Sequence, residues 1–73
     1  MRYVVLVERA GNNYSAFAPD VPTCIATGAT PQEAVAELHA ARETHLELLR
    51  EEGLPLPVAE TLSATVEINA PAA

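Results

Sequence analysis

The spacing of apolar and polar residues changes along the chain, and each spacing predicts a different element. Residues 3–7 are continuously apolar, which is typical of a strand covered on both faces. Residues 14–18 are predicted as a second strand after the turn residues Gly11–Asn13, and residues 23–27 as a third strand after a bend. Apolar and polar residues alternate from 62 to 69, which predicts a strand with one buried face.

Between these strands the sequence carries a clear helix signal. Thr30 precedes Pro31, and Glu33 occupies the third helical position, which is the pattern of a capping box. Gly53 is a typical stop signal, so the pattern predicts a helix over about residues 31–52. Apolar residues, with Val35 at their margin, recur at helical spacing on one face, namely Leu38, Ala41, His45, Leu48 and Leu49.

The predicted element order is β-β-β-α-β, an α+β fold in a single domain over residues 1–69 with a frayed tail at 70–73. Two hairpins make the first three strands antiparallel, and a crossover through the helix brings the last strand parallel to the first and beside it. We therefore expect a four-stranded mixed sheet in the order 3-2-1-4, with the helix on one face. Because one helix covers one face only, the apolar first strand also predicts a homo-oligomer.

Composition restricts the partners that this domain is expected to bind. Its 73 residues include 10 acidic and 4 basic side chains and no lysine, for a net charge of -6. Phosphate-backbone binding uses clustered Lys and Arg, so we expect no direct binding to nucleic acid. A basic protein partner is favoured, although acidity also serves solubility alone. The single cysteine favours a reducing compartment, and the apolar start is too short for a signal peptide or membrane span, so we expect a cytoplasmic protein without a membrane partner.

The sequence offers no catalytic or metal site, and we expect no cofactor. Cys24 lies in a predicted strand with no histidine near it in sequence, which is typical of a small buried hydrophobe. His39 and His45 lie about 120° apart around the helix, so they cannot share a metal ion, and His45 is expected at the core or an interface. Glu8 and Asp20 are too few carboxylates for a two-metal nuclease site on the first three strands and their loops.

Residues 14–34, YSAFAPDVPTCIATGATPQEA, combine a tyrosine-led strand, a Pro-Asp-apolar-Pro bend before a cysteine, and a helix initiated by threonine. This pattern resembles the HicB-like antitoxin family. The likeness continues through His45-Leu46-Glu47 and the Gly53-Leu54-Pro55 exit from the helix, and so spans nearly the whole chain. The residues that carry it in the first run are Tyr14, Pro19, Asp20, Val21, Pro22, Cys24, Gly28, Thr30, Glu33 and Ala34.

The resemblance implies a partial ribonuclease-H-like fold and a non-catalytic protein that neutralises a small basic ribonuclease toxin, HicA-like, by direct contact. Many proteins of that family carry a C-terminal DNA-binding segment, and this chain resembles a short form without one. The sequence departs from the family at Thr23, where glycine is common, and at Ala29, where an acid is common. The alternative function is an orphan oligomeric domain of the same fold without a toxin.

Two surfaces are candidates for partner binding. The Pro19–Pro22 bend restricts the backbone, so its residues lose little entropy on association, and the strand before it offers one of two aromatic residues as an anchor. The helix carries glutamates in one sector opposite its apolar stripe. A plain connector and a solvated helix face are the structural alternatives. The predicted contact residues are Tyr14, Phe17, Asp20, Val21, Glu43 and Glu47.

Overall fold

Three antiparallel strands and one helix make up the protein in the computed structural model, which describes residues 2–22 and 24–69. The sheet has the order β1-β2-β3, with β2 in the centre. The strands are followed by a single long helix, α1. The elements are β1 (Leu6–Ala10), β2 (Asn13–Phe17), β3 (Ile25–Gly28) and α1 (Pro31–Glu51).

The register of the sheet assigns its residues to two faces. Gly11 and Asn12 form a two-residue turn, because Ala10 pairs with Asn13. Successive strand residues point to opposite faces, so Ala16 faces α1 and Phe17 faces away from it. Ala16 and Ala26 are small residues of the face under the helix, with Tyr14 at its margin, which allows the helix to lie close to the sheet.

The core lies between β2, β3 and the first half of α1. Its buried residues are small or aliphatic, and Tyr3, Val5, Tyr14 and Ala26 pack against them from the margin. The helix packs chiefly over β2 and β3 and hardly contacts β1, so one side of the helix is left uncovered. The buried residues are Ala16, Ala18, Val21, Cys24, Ala34 and Leu38.

Both ends of α1 are capped as the sequence predicts. The Thr30 hydroxyl accepts a hydrogen bond from the Glu33 amide at 3.1 Å, while the Glu33 carboxylate accepts one from the amide of Ala29 rather than from that of Thr30. At the other end Gly53 adopts a φ of 70°, in the left-handed region that favours glycine. The Leu54 amide then donates to the Leu49 carbonyl at 2.9 Å, as in a Schellman motif.

The predicted apolar face of the helix is confirmed in part. Leu38 is buried and His45 and Leu49 are half-buried, but Ala41, Leu48 and the marginal Val35 are exposed. The 21 residues of α1 span about 30 Å, whereas a five-residue strand spans about 17 Å, so the helix extends past the sheet that would cover it. No helix among the described residues has the length and apolar character needed to cross a bilayer.

The prediction of a four-stranded mixed sheet in the order 3-2-1-4 is wrong. The described sheet has three strands and is entirely antiparallel, and residues 62–69 do not join it. Their side chains stay in solvent, with Leu62 92% and Val66 81% exposed. Alternation establishes that a segment suits a strand, but pairing also requires that the chain reach a free edge of the sheet, and within one chain this segment pairs with none.

The strand boundaries also differ from those predicted. Residues 3–7 were predicted as the first strand, but β1 begins at Leu6, and Tyr3 and Val5 pack against the core without belonging to the sheet. Within the single chain Leu6 and Val7 are exposed, so β1 is not covered on both faces. The third strand starts at Ile25. Thr23 and the tail predicted at 70–73 lie outside the described residues.

Replacing Thr30 with alanine should lower the free energy of unfolding by about 1 kcal/mol, because the Glu33 amide loses its capping acceptor. Denaturant melts measure the change. Thr44→Ala is the matched control, since the Thr44 hydroxyl bonds only to the Ala40 carbonyl within the helix, and it should change stability by less than about 0.5 kcal/mol. Equal losses in the two variants would contradict the capping role.

Gly28→Ala should destabilise the fold by about 3 kcal/mol, because backbone must move to make room. A methyl group at Gly28 would lie 2.5 Å from the Ala34 amide nitrogen and 2.7 Å from Glu33 Cβ. Gly53→Ala is the comparison, since it meets no atom within 4 Å and carries only the strain of its positive φ, about 1 kcal/mol. Thermal melts that rank the two variants in the opposite order would refute the close contact.

Candidate protein interaction surfaces

Asp20, in the bend between β2 and β3, anchors the C-terminal part of the chain. Its Oδ2 accepts hydrogen bonds from the amides of Glu60 at 3.0 Å and Thr61 at 2.8 Å. Its Oδ1 accepts one from the Thr61 hydroxyl at 2.6 Å. The Thr61 hydroxyl, followed by the Thr61 amide, holds the pKa of Asp20 below its ordinary value, while partial desolvation opposes the shift and the Glu60 amide adds to it.

The remainder of the bend also serves the fold. Val21 is 1% exposed and belongs to the core, and its amide donates to the Ala18 carbonyl at 3.0 Å. The Cys24 amide donates in turn to the Val21 carbonyl. Val21 is therefore buried and the Asp20 oxygens are engaged within the chain. The role of both residues in partner binding stays a prediction.

The two aromatic candidates lie on opposite faces of β2. Tyr14 packs against the core on the helix side. Phe17 is on the other side, where the register aligns it with Leu6 of β1 and Ile25 of β3 in one row across the sheet. Ile25 is 67% exposed in this row, and no described residue covers it. We call Leu6, Phe17 and Ile25 the outer row, and Phe17, which is half-buried, is its aromatic residue.

The side of α1 opposite the core is acidic. Its glutamates occupy one sector of the helix, facing away from Ala34 and Leu38, and all are exposed. Glu43 and Glu47 border a shallow polar depression together with Arg50. We call this surface the acidic face. It consists of Glu33, Glu37, Glu43, Glu47 and Glu51.

Tyr3 connects the middle of α1 to the segment that leaves it. The Arg42 guanidinium lies 5.6 Å from the centre of the Tyr3 ring, and the Tyr3 hydroxyl donates to the Pro57 carbonyl at 2.6 Å. Arg42 also donates to His39 Nδ1 at 3.0 Å. Together with the Asp20 contacts, this fixes residues 57–61 against the body of the domain.

A groove of about 600 Å³ runs beside the first half of α1, on the side facing β1. It is open because the helix packs over β2 and β3 and leaves the space next to β1 uncovered. Apart from Gln32, His39 and Arg42, its lining is apolar. We call it the edge groove, and its apolar lining residues are Val5, Pro31, Val35, Ala36 and Leu38.

No three His, Cys, Asp or Glu side chains converge to hold a metal ion within residues 2–22 and 24–69. Cys24 is a free thiol buried in the core. Sequence reasoning missed the partners of Asp20 and Tyr3, because Thr61 and Pro57 lie 41 and 54 residues away and no local pattern links them.

Asp20→Asn should release residues 60 and 61 from the bend, because an amide presents one acceptor atom to three donors. Since the folded-state pKa is lowered, the contact stabilises the wild type above the ordinary carboxyl value of 3.8 and is lost as the pH falls through the lower folded value. The NMR shifts of the Glu60 and Thr61 amide protons report both effects. Glu60→Gln, whose side chain is not in the contact, is the control. Chemical shifts of these two amide protons that stay the same in Asp20→Asn would contradict the contact.

Comparison with known proteins places the chain in a family. Searches of curated proteins and of solved structures found no match. With its three-stranded sheet, the domain does not support the partial ribonuclease-H-like fold that the resemblance implied. The family described as HicB_like antitoxin of bacterial toxin-antitoxin system matches residues 3–71, nearly the whole chain. The protein therefore belongs to the HicB-like antitoxin family.

Proposed function

We propose that this protein neutralises a small basic ribonuclease toxin, HicA-like in kind, by binding it directly through the acidic face of α1. Family membership supports an antitoxin role with a toxin partner of some kind. The chemistry of the partner is inferred from the charge of this chain, which is -6 with no lysine. A cationic protein is the partner that this charge attracts.

The observation that carries the proposal is the concentration of exposed glutamates in one sector of the helix. Pairs one turn apart, at 33/37, 43/47 and 47/51, repel each other by about 0.2 to 0.5 kcal/mol each. A cationic partner relieves this repulsion, so the arrangement favours the bound state over the free one. Complementary charge also accelerates association by steering the encounter.

Inhibition by occlusion requires no chemistry from the antitoxin. Membership in an antitoxin family favours a non-enzymatic role. The acidic face is proposed here as a binding surface only.

We also propose that the protein self-associates. Two apolar features of the described chain face solvent, the outer row and the segment after Thr61, where Leu62 and Ile68 are 92% and 79% exposed. The acidic face lies on the opposite side of the domain from the outer row, because α1 packs on the other face of the sheet. A toxin and a second copy therefore have separate surfaces to occupy.

The double variant Glu43→Lys and Glu47→Lys should bind a HicA-like cognate toxin about tenfold more weakly or worse, because two attractive charges become repulsive. Most of the loss should appear as slower association, with a weaker dependence on salt. Biosensor kinetics at two ionic strengths measure both quantities.

Glu8→Lys is the matched control for this experiment, since it makes the same charge change on exposed β1, away from the acidic face. It should leave association with the toxin close to wild type. Circular dichroism confirms that each variant is folded. Equal effects of the two substitutions would show that net charge alone matters, and wild-type binding by the helix variant would remove the acidic face from the contact.

A further inference from the structure

Residues 61–69 have the sequence of a strand but pair with no strand of their own chain. Leu62, Ala64, Val66 and Ile68 share one face of the extended segment, and the residues between them are polar. This segment, which we call the arm, spans about 30 Å when extended. The largest dimension of the molecule is 53 Å, against 26 and 15 Å in the other directions, as expected where part of the chain stands away from the body.

The domain also has a free sheet edge beside an apolar groove. β1 pairs with β2 on one side, and no described strand pairs with its other side. Val5 leads into β1 and lines the edge groove, and Val35 faces the same groove from α1 while 39% exposed. Unpaired backbone groups next to uncovered apolar side chains are the features that bind an added strand.

We propose that the arm of each chain pairs with the free edge of β1 in a second copy of this protein, so that the apolar side chains of the arm enter the edge groove of that copy. The occupant is a second copy because the arm supplies both missing parts, a row of backbone donors and acceptors and a single apolar face. A two-fold axis lets the same contact form twice, which closes the dimer. In this arrangement each arm pairs with β1 of the other copy and not with β1 of its own chain.

The Asp20 anchor makes this exchange favourable. It holds Thr61 through the Thr61 amide and hydroxyl, so the arm leaves the domain from a fixed point. An arm that starts from a fixed point loses less conformational entropy when it binds than a free terminus does. The polar residues Ser63, Thr65 and Glu67 alternate with the apolar ones and stay in solvent on the other face of the added strand.

This inference deepens the proposed self-association and is independent of toxin binding, which the acidic-face variants test separately. The full chain should behave in light scattering at micromolar concentration as a dimer of twice its 7.7 kDa mass. Val66→Asp should weaken dimerisation by about tenfold or more, because it places a charge in the groove. Thr65→Asp is the matched control, since it adds the same charge one residue away on the solvent face, and it should remain dimeric.

A second pair of variants tests the edge groove that receives the arm. Val35→Asp should weaken dimerisation as Val66→Asp does, while Ala40→Asp, on an exposed part of α1 away from the groove, should not. Val66 and Val35 are both exposed in the single chain, so neither substitution should prevent folding, and circular dichroism checks this. A monomeric wild type, or a Val66→Asp variant that dimerises normally, would overturn the proposal.

Isotope-filtered NMR on a mixture of labelled and unlabelled chains identifies which copy each arm contacts. Contacts between the methyl groups of Val66 and Val35 are expected between chains. Such contacts found only within one chain would refute the exchange. Ile25→Asp gives a further decisive outcome, because dissociation by that variant and not by Val66→Asp would assign the dimer interface to the outer row.

Discussion

The close contact between Gly28 and the first turn of α1 is the constraint on which the rest of the fold depends. The backbone of β3 ends where the helix begins, and the space above Gly28 is filled by the Ala34 amide and by Glu33. Thr30 caps the helix at the same point. A helix fixed this closely over β2 and β3 needs only small side chains beneath it, and it leaves the β1 side of the domain open.

The Pro-Asp-apolar-Pro bend is the second place where distant parts of the chain are held together. Asp20 accepts hydrogen bonds from the amides of residues 60 and 61, and the Val21 side chain is buried in the core. The Tyr3 hydroxyl makes a comparable contact with Pro57. These contacts are why the chain beyond α1 follows the domain as far as Thr61. In a small domain whose described part buries six core residues, such polar contacts supplement a limited apolar core.

The open surfaces of the domain differ in chemistry. The acidic face of α1 suits a cationic protein, whereas the edge groove and the arm suit each other. The surfaces proposed for toxin binding and for self-association are formed by different residues of the chain. The outer row of Leu6, Phe17 and Ile25 is a third, apolar surface on the far side of the sheet.

The sequence by itself determined the elements whose signals are local. The capped start at Thr30, the stop at Gly53 and the antiparallel order of the first strands depend on neighbouring residues, and the family pattern follows from the same run. Tertiary structure alone decided that Phe17 rather than Tyr14 lies on the face away from the helix, that Asp20 holds Thr61, and that residues 62–69 stay outside the sheet. Alternation predicts which residues share a face, but contacts between distant segments depend on where the whole chain places them, and no local spacing encodes that position.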